Sequence, residues 1–379
     1  MAKRLWIRRS DCKTSFLLLL AAMACLCGSA CGAPVVHPSI VPPVIDDRAR
    51  FRQIFCSLNA DHGSKFPVQW QCDRALQQLG GEGDAPAKPV PGPPPAGSTP
   101  LHIIIIPGIF GQCVKSWALP FQDGAAFLRT QGYRIDTIDV DGRSSSARNA
   151  AIIAGALPRL LKPGERLMIL GYSKGTSDIL ETLALYPDAI PPGSAVVSVS
   201  GVVSGTPVAD NAAALYRTFA WIPLPNCGPD DRGGVESLTR RHRLAWLARH
   251  PLPRDRTYFS LASFTDKTHI SWPLMLSYKS LSKLDPHNDG QLIYSDAILP
   301  GSHLLGYLNA DHWAVALPLA RNVPVLRPVF GGRNDFPREI LLEAIVRSVE
   351  EQLRCSSTRS PGLSNRPDAL DRSNGPKRM

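Results

Sequence analysis

The sequence predicts an α/β fold with a mostly parallel central sheet flanked by helices. Between residues 101 and 354, short apolar runs alternate with longer segments of helical periodicity, which is typical of β-α-β units. The first run, LHIIII at 101–106, is apolar almost throughout, as expected of a parallel strand that is buried on both faces. These observations predict one large domain over 101–354.

The predicted elements follow one another along this domain. Strands are predicted at 101–106, 134–140, 166–170, 195–203, 258–264 and 304–308, and helices at 117–131, 145–161, 176–185 and 337–353. The alternation breaks at 206–253, where we expect an insertion that forms a cap above the carboxyl edge of the sheet. Its apolar side chains suit either an acyl chain or the cap's own core; they are Tyr216, Phe219, Trp221, Ile222 and Leu224.

Three further segments flank the domain. Residues 84–100 are rich in proline and are expected to form a semi-rigid linker. Before them, 32–83 is expected to be a small N-terminal helical segment. After the last predicted helix, 355–379 is polar and aperiodic, which predicts a disordered tail.

The first 31 residues have the pattern of a secretory signal peptide. Basic residues between Lys3 and Lys13 precede a short apolar run at 15–24, and small residues follow it. The run is about half of the ~20 residues that a membrane-spanning helix needs. Cys31 follows Gly-Ser-Ala, which resembles a bacterial lipoprotein processing site, so Cys31 is a candidate for lipidation and membrane attachment. We therefore expect an exported protein that is periplasmic, anchored to the outer membrane or secreted.

The basic charge of the chain lies mainly at its two ends. The formal net charge is +10, but most of the excess belongs to 1–31 and to the tail from Cys355. No basic stripe with interleaved aromatic residues covers the middle of the sequence, so a nucleic-acid partner is not expected.

Export implies an oxidising compartment for the cysteines beyond the signal segment. Cys56 and Cys72 are candidates for a disulfide within the N-terminal segment, and Cys113 with Cys227 is a second candidate pair. Cys355 would then be left over. None of these cysteines has the close paired spacing of a zinc site, and no metal site is expected.

One motif has the pattern of a catalytic site. Gly171-Tyr172-Ser173-Lys174-Gly175 has the pattern G-x-S-x-G and lies between a predicted strand and a predicted helix. This context is typical of a nucleophile elbow, a tight turn that holds the serine hydroxyl clear of the sheet. Gly171 and Gly175 keep the turn free of side chains that would collide with the strand and the helix. We predict that Ser173 is the nucleophile.

Two backbone amides are expected to bind the oxyanion that such a nucleophile generates. The first belongs to Lys174, the residue after the serine. The second is expected from the loop after the strand at 101–106, where the sequence Pro-Gly-Ile-Phe-Gly makes Ile109 the natural donor.

A histidine and an acid should follow the serine in chain order. His312 comes shortly after the predicted strand at 304–308, so its loop is expected at the same sheet edge as the elbow. Asp289, in a turn-rich loop, is the predicted acid, and Asp285 is the alternative. Asp311 adjoins His312 and would have difficulty turning back to its ring.

Together these residues resemble secreted bacterial lipases and esterases of the α/β-hydrolase fold. The resemblance rests on the GYSKG elbow, the PGIFG loop, and an N-D-G turn followed by Asp-His, and it covers roughly 101–353. It implies that Asp289 is the acid and His312 the base of a catalytic triad. Many such lipases have His-Gly where this chain has Pro107-Gly108, so ester hydrolysis is implied more directly than lipase activity.

The predicted activity is hydrolysis of small-molecule or lipid esters through an acyl-enzyme, with no cofactor. A thioesterase or acyltransferase would use the same triad, and only assays with different acceptors separate these activities. A non-catalytic binding protein on the same scaffold is the alternative outside enzymes, although every triad and oxyanion position is filled.

Overall fold

The computed structural model describes residues 43–93, 100–219, 227, 231–330 and 333–358. The signal segment with Cys31, most of the tail, and the cap residues Trp221, Ile222 and Leu224 lie outside the described residues. The side chains of Tyr216 and Phe219 lie outside them as well.

An eight-stranded sheet forms the centre of the molecule, and its order is β1-β8-β7-β6-β5-β3-β4. All neighbours along this path are parallel, whereas the short strand β2 pairs with β8 in the antiparallel direction. The strands are β1 (Ile45–Asp46), β2 (Leu76–Gln77), β3 (His102–Ile106), β4 (Arg134–Thr137), β5 (Leu167–Tyr172), β6 (Ala195–Val199), β7 (Thr257–Ser263) and β8 (His303–Leu308). The predicted α/β fold with a mostly parallel sheet is confirmed.

Helices cover both faces of this sheet. They are α1 (Arg48–His62), α2 (Cys72–Ala75), α3 (Gly111–Val114), α4 (Gln122–Thr130), α5 (Ser146–Leu160), α6 (Lys174–Leu185), α7 (Pro207–Phe219), α8 (Arg240–Arg249), α9 (Met275–Leu281), α10 (Leu319–Asn322), α11 (Arg327–Phe330) and α12 (Arg338–Thr358). Short 3₁₀ turns lie at Gly63–Lys65, Glu236–Leu238, Trp272–Leu274, Tyr294–Ala297 and Pro324–Leu326.

The hydrophobic core has one large layer on each face of the sheet. Helices α1, α4 and α12 pack on one face, where buried side chains such as Phe55, Leu128 and Ile345 meet. Helices α5, α6 and α8 pack on the other face, with Ile153, Ile179 and Trp246 in the second layer. Strands covered on both sides must be apolar on both sides, which explains the unbroken apolar runs in the sequence.

The N-terminal residues belong to this same sheet. Strands β1 and β2 both pair with β8, and α1 packs against α12. The predicted linker also contacts the domain, because Arg50 donates hydrogen bonds to the carbonyls of Lys88 and Pro89. Strands of two residues are too short to give a period in the sequence, so the pattern did not reveal them.

Several predicted boundaries differ from the observed ones. The predicted strand at 195–203 ends at Val199, because Ser200 has a φ of 45° and leaves the extended conformation. The predicted helix at 117–131 begins only at Gln122. The last helix continues to Thr358, past the predicted start of the tail at Cys355, and a Glu350–Arg354 ion pair joins its final turns.

The structure pairs the cysteines as two disulfides. Cys56 and Cys72 join α1 to α2, with Cα atoms 5.1 Å apart. Cys113 and Cys227, with Cα atoms 4.5 Å apart, join α3 to a residue within the predicted cap insertion. Cys355 is exposed and takes part in neither disulfide.

None of the helices in the described part of the chain is both long and apolar enough to cross a bilayer.

Candidate active site

Ser173 lies on a strained turn between β5 and α6. Its φ of 55° and ψ of −125° are unfavourable for a residue with a side chain, and such strain is typically concentrated at functional sites. The two flanking glycines have no space for a side chain. A Cβ atom at Gly171 would lie 2.5 Å from the Thr176 nitrogen, and one at Gly175 would lie 2.2 Å from the Ile106 carbonyl oxygen. The start of α6 therefore packs directly against the backbone of β5 and β3.

The structure brings the three predicted side chains together in one hydrogen-bonded chain. Ser173 Oγ lies 2.8 Å from His312 Nε2, and His312 Nδ1 lies 2.8 Å from Asp289 Oδ2. Both distances are within the normal range for hydrogen bonds. Since these residues follow β5, β7 and β8 in the chain, the carboxyl edge of the parallel sheet brings them together.

The backbone and a stacked ring fix the position of the His312 imidazole. The His312 amide donates to the Asp289 carbonyl at 2.9 Å, so the two loops are joined through the backbone as well. The Tyr172 hydroxyl donates to the His312 carbonyl at 2.6 Å, and the two rings stack with centroids 5.4 Å apart. Burial raises the pKa of Tyr172 well above its ordinary value, which keeps the hydroxyl protonated as a donor.

Asp289 is held by hydrogen bonds to both of its carboxylate oxygens. Oδ1 accepts from the amides of Gln291 and Leu292 at 2.9 and 2.7 Å. Oδ2 accepts from the Ser263 hydroxyl at 2.8 Å, in addition to the contact with the His312 ring. Sequence reasoning missed Ser263, whose only signal was its position at the end of a strand beside the site.

The other two acids have different partners. Asp285 accepts from the backbone amide of His287 at 2.8 Å and lies 2.9 Å from its ring Nδ1. Asp311 is fully buried and accepts from the amides of Ser271, Trp313 and Ala314, so it holds the turn that follows His312. Burial raises the pKa of Asp311 despite these donors.

Ile109 and Lys174 both belong to segments that adjoin Ser173. The loop carrying Ile109 packs closely on the nucleophile, because a Cβ atom at Gly108 would lie 2.9 Å from Ser173 Cβ. Lys174 is the first residue of α6, so its amide has no carbonyl one turn earlier to which it could donate. The positive end of the helix dipole also lies at this position.

A mostly apolar cavity opens beside the serine. Its lining residues are Gly108, Ile109, Tyr172, Ser173, Val202, Thr206, Leu238, Gln291, Leu292, His312, Trp313 and Leu317. Such a lining suits the hydrocarbon part of a substrate, whereas the polar groups converge on one point, the Ser173 hydroxyl.

The described residues contain no group of three or more His, Cys, Asp or Glu side chains arranged to hold a metal ion. The groups that converge on Ser173 can carry out nucleophilic and acid–base chemistry by themselves.

The fold and this site define the class of protein. The sheet is parallel, and a strained serine lies at the turn from β5 into α6. This serine is hydrogen-bonded to a histidine that follows the last strand, which is the α/β-hydrolase arrangement.

Comparisons with known proteins identify the family. The chain is similar to the metagenomic carboxyl esterase MGS0156, with 37% sequence identity and a TM-score of 0.77 over 88% of this chain and 99% of that one. The mature lipase BlEst2 of Bacillus licheniformis is 22% identical over 64% of this chain and 96% of that one, with a TM-score of 0.47. No protein-family model and no curated protein matches the chain.

The chain belongs to the carboxyl esterase family of α/β-hydrolases and is a carboxylic-ester hydrolase. The predicted resemblance to esterases and lipases of this fold is confirmed.

Proposed function

We propose that the chain hydrolyses carboxylic esters with Ser173 as the nucleophile, His312 as the general base and acid, and Asp289 as the residue that orients the histidine. The observation that carries this proposal is the continuous hydrogen-bonded chain from Ser173 Oγ through His312 to Asp289, with both links at 2.8 Å.

In the first step, Ser173 Oγ attacks the ester carbonyl carbon while its proton moves to His312 Nε2. Asp289 holds the Nδ1–H tautomer of the ring and stabilises the imidazolium. Two backbone amides and the Ser263 hydroxyl also donate to its carboxylate and hold it in position for this role.

The negative charge of the tetrahedral intermediate is proposed to lie between the amides of Ile109 and Lys174. A serine with its hydroxyl next to the start of α6 places the developing oxyanion at the positive end of the helix. Protonated His312 then gives its proton to the leaving alcohol, and the C–O bond breaks to leave an acyl group on Ser173. Water, deprotonated by the same histidine, releases the acid and restores the serine.

The proposed substrates are small-molecule or lipid esters. Val202, Leu238, Leu292, Trp313 and Leu317 give the cavity an apolar lining on which an acyl or alkyl group can pack. No cofactor takes part in the proposed steps.

The test is the hydrolysis of a p-nitrophenyl ester series from C2 to C16 by the wild-type protein and by Ser173→Ala. We expect the variant to lose at least 10³-fold in kcat on every ester, and to resist labelling by a fluorophosphonate probe. The chain length with the highest kcat/KM would identify the preferred acyl group. If Ser173→Ala kept the wild-type rate, Ser173 would not be the nucleophile.

We also propose that the protein is exported and that Cys31 is its lipid attachment site. The basic, apolar and small-residue pattern of 1–31 supports export. In a bacterial host that processes lipoproteins, mass spectrometry of the mature N-terminus should find a diacylglycerol-modified Cys31, and Cys31→Ser should release the protein from the membrane fraction. An unmodified N-terminus at another residue would support free secretion, and a retained N-terminus would show that the segment is an uncleaved anchor and that Cys31 is not the lipid attachment site.

A further inference from the structure

The residue that follows Ser173 carries a buried cation. The Lys174 ammonium lies 2.6 Å from Asp178 Oδ1, one turn further along α6, and the two side chains are 1% and 0% exposed. Removing both charges from water is costly, and a well-packed apolar pair often serves stability equally well. The position of this pair, directly behind the proposed nucleophile, therefore suggests a role other than stability.

Asp178 also contacts a second helix. Its Oδ2 accepts from Asn149 Nδ2 of α5 at 2.8 Å, and Asn149 is fully buried. Burial raises the pKa of the Asp178 carboxyl, and the hydrogen bonds and charge of its partners oppose that effect. Both carboxylate oxygens are thus engaged, one by Lys174 and the other by Asn149.

Asn149 in turn holds the turn that follows β4. Its Oδ1 accepts from the Asp141 amide, and its Nδ2 donates to the Asp141 carbonyl, both at 3.1 Å. A side-chain amide that bonds both backbone groups of one residue fixes that residue in position and orientation. The turn at 141–142 is therefore anchored, through Asn149, to Asp178.

This turn supports the loop that carries Ile109. The amide of Phe110 donates to the Gly142 carbonyl at 2.9 Å. Phe110 directly follows Ile109 and has a φ of 59°, a conformation that costs energy for a residue with a side chain and needs support from its neighbours. The hydrogen bond to Gly142 supplies such support.

We infer that Asp178 is a positioning residue that sets the spacing of the two amide donors of the oxyanion hole. Its ion pair with Lys174 holds the residue that carries the first donor. Its hydrogen bond to Asn149 holds the 141–142 turn, which supports the loop of the second donor, the Ile109 amide. The inference rests on the proposed function, which assigns the Ile109 and Lys174 amides to the oxyanion.

The expected kinetic effect differs from that of a general loss of stability. Complete removal of one oxyanion donor typically costs about 10²–10³ in kcat, so displaced donors should cost about tenfold or more. KM should stay within about twofold, because the oxyanion forms in the transition state and the ground-state carbonyl carries far less charge.

The experiment compares Asp178→Asn with Glu343→Gln in the full chain. Glu343 and Arg347 form a matched buried ion pair, also four residues apart, at 2.9 Å within α12 and outside the cavity beside Ser173. We expect Asp178→Asn to lower kcat at least tenfold with little change in KM. It should also weaken inhibition by an aryl trifluoromethyl ketone, whose adduct with serine carries an oxyanion, by a similar factor. Glu343→Gln should lower the thermal stability and leave kcat and the inhibition constant near the wild-type values.

A double variant separates positioning from folding. Lys174→Met with Asp178→Leu removes both charges, keeps the volume similar and leaves the Lys174 backbone amide in place. If Asp178 positions the donors, this protein should be folded and stable but should remain at least tenfold slower than wild type. If the double variant recovers both kcat and inhibitor affinity, the pair has only a structural role and the inference is wrong.

The failures of the two proposals are distinguishable. Wild-type activity in Ser173→Ala would overturn the proposed function, and with it the basis for this inference. An inactive Ser173→Ala together with a fully active Asp178→Asn would leave the proposed nucleophile intact and overturn only the role of Asp178.

Discussion

At the scale of single residues, the site depends on which of three nearby acids faces His312. Asp289 points its carboxylate at the ring and receives three further hydrogen bonds, whereas Asp285 engages His287 and Asp311 holds a turn. The sequence placed all three acids in the same region, and only the first has the geometry of a triad acid.

This difference predicts opposite results for two isosteric substitutions. Asp289→Asn should lower kcat by about 10³–10⁴, because the amide favours the wrong tautomer of His312. Asp285→Asn, the matched control on the same loop, should keep kcat within about threefold of wild type. Steady-state kinetics on one short ester is sufficient, and equal losses in the two variants would mean that Asp289 is not the acid.

At the scale of elements, the position of the serine could be predicted because strand and helix periods on either side frame the G-x-S-x-G motif. The buried roles of Asp178 and Asn149 could not be predicted in this way, because the sequence does not show whether a polar residue of a helix faces solvent or the interior. Strands β1 and β2 escaped notice for a different reason, as two residues carry no period. The sequence thus predicts the groups proposed to react, and the structure adds the groups that hold them.

Substitution of two glycines, Gly171 in β5 and Gly155 in α5, should change the stability of the protein in opposite directions. At Gly171, a Cβ atom would lie 2.5 Å from backbone, whereas nothing lies within 4 Å of a Cβ atom at Gly155, an exposed position within α5. Gly155→Ala should therefore raise the free energy of unfolding by about 0.5–1 kcal/mol, through lower backbone entropy in the unfolded chain.

Gly171→Ala should lower the free energy of unfolding by more than about 2 kcal/mol and abolish ester hydrolysis, because the elbow must shift. Denaturant titrations of both variants give the two values. Similar stabilities for Gly155→Ala and Gly171→Ala would show that the elbow can relax around an added methyl group.

At the scale of the whole molecule, one buried ion pair connects α8, which packs on the sheet although it belongs to the predicted cap, to the 3₁₀ turn at Tyr294–Ala297. Arg240 of α8 contacts Asp296 at 2.5 Å, and the Asp296 carbonyl also accepts from the amides of Val203 and Ser204 after β6. Burial outweighs the attraction of Arg240 and raises the pKa of Asp296 from 3.8 to about 6.

This pKa makes overall stability depend on pH in a defined direction. In the folded protein Asp296 binds its proton more tightly than in the unfolded chain, so its stabilising contribution is complete below about pH 4 and is lost as the pH rises through 6. As the pH rises from 5 to 7.5, the titration of Asp296 should lower the free energy of unfolding of the wild-type protein by about 1 kcal/mol.

Asp296→Asn removes the titrating group and should remove that part of the pH dependence. The measurement is the difference in free energy of unfolding between pH 5 and 7.5, obtained by denaturant titration of both proteins. An identical difference in wild type and variant would mean that Asp296 titrates alike in the folded and unfolded states.

The disulfide between Cys113 and Cys227 affects how the chain folds as well as the structure that it reaches. The two cysteines have a sequence separation of 114, and the loop that they close begins just after the Ile109 loop and includes the nucleophile elbow. If the disulfide forms late in folding, the chain must first bring Cys113 and Cys227 together. If it forms early, the active site folds within a loop that is already closed. Cells that keep thiols reduced would produce the same sequence without the closed loop, so the compartment of synthesis decides which of two covalent molecules is obtained.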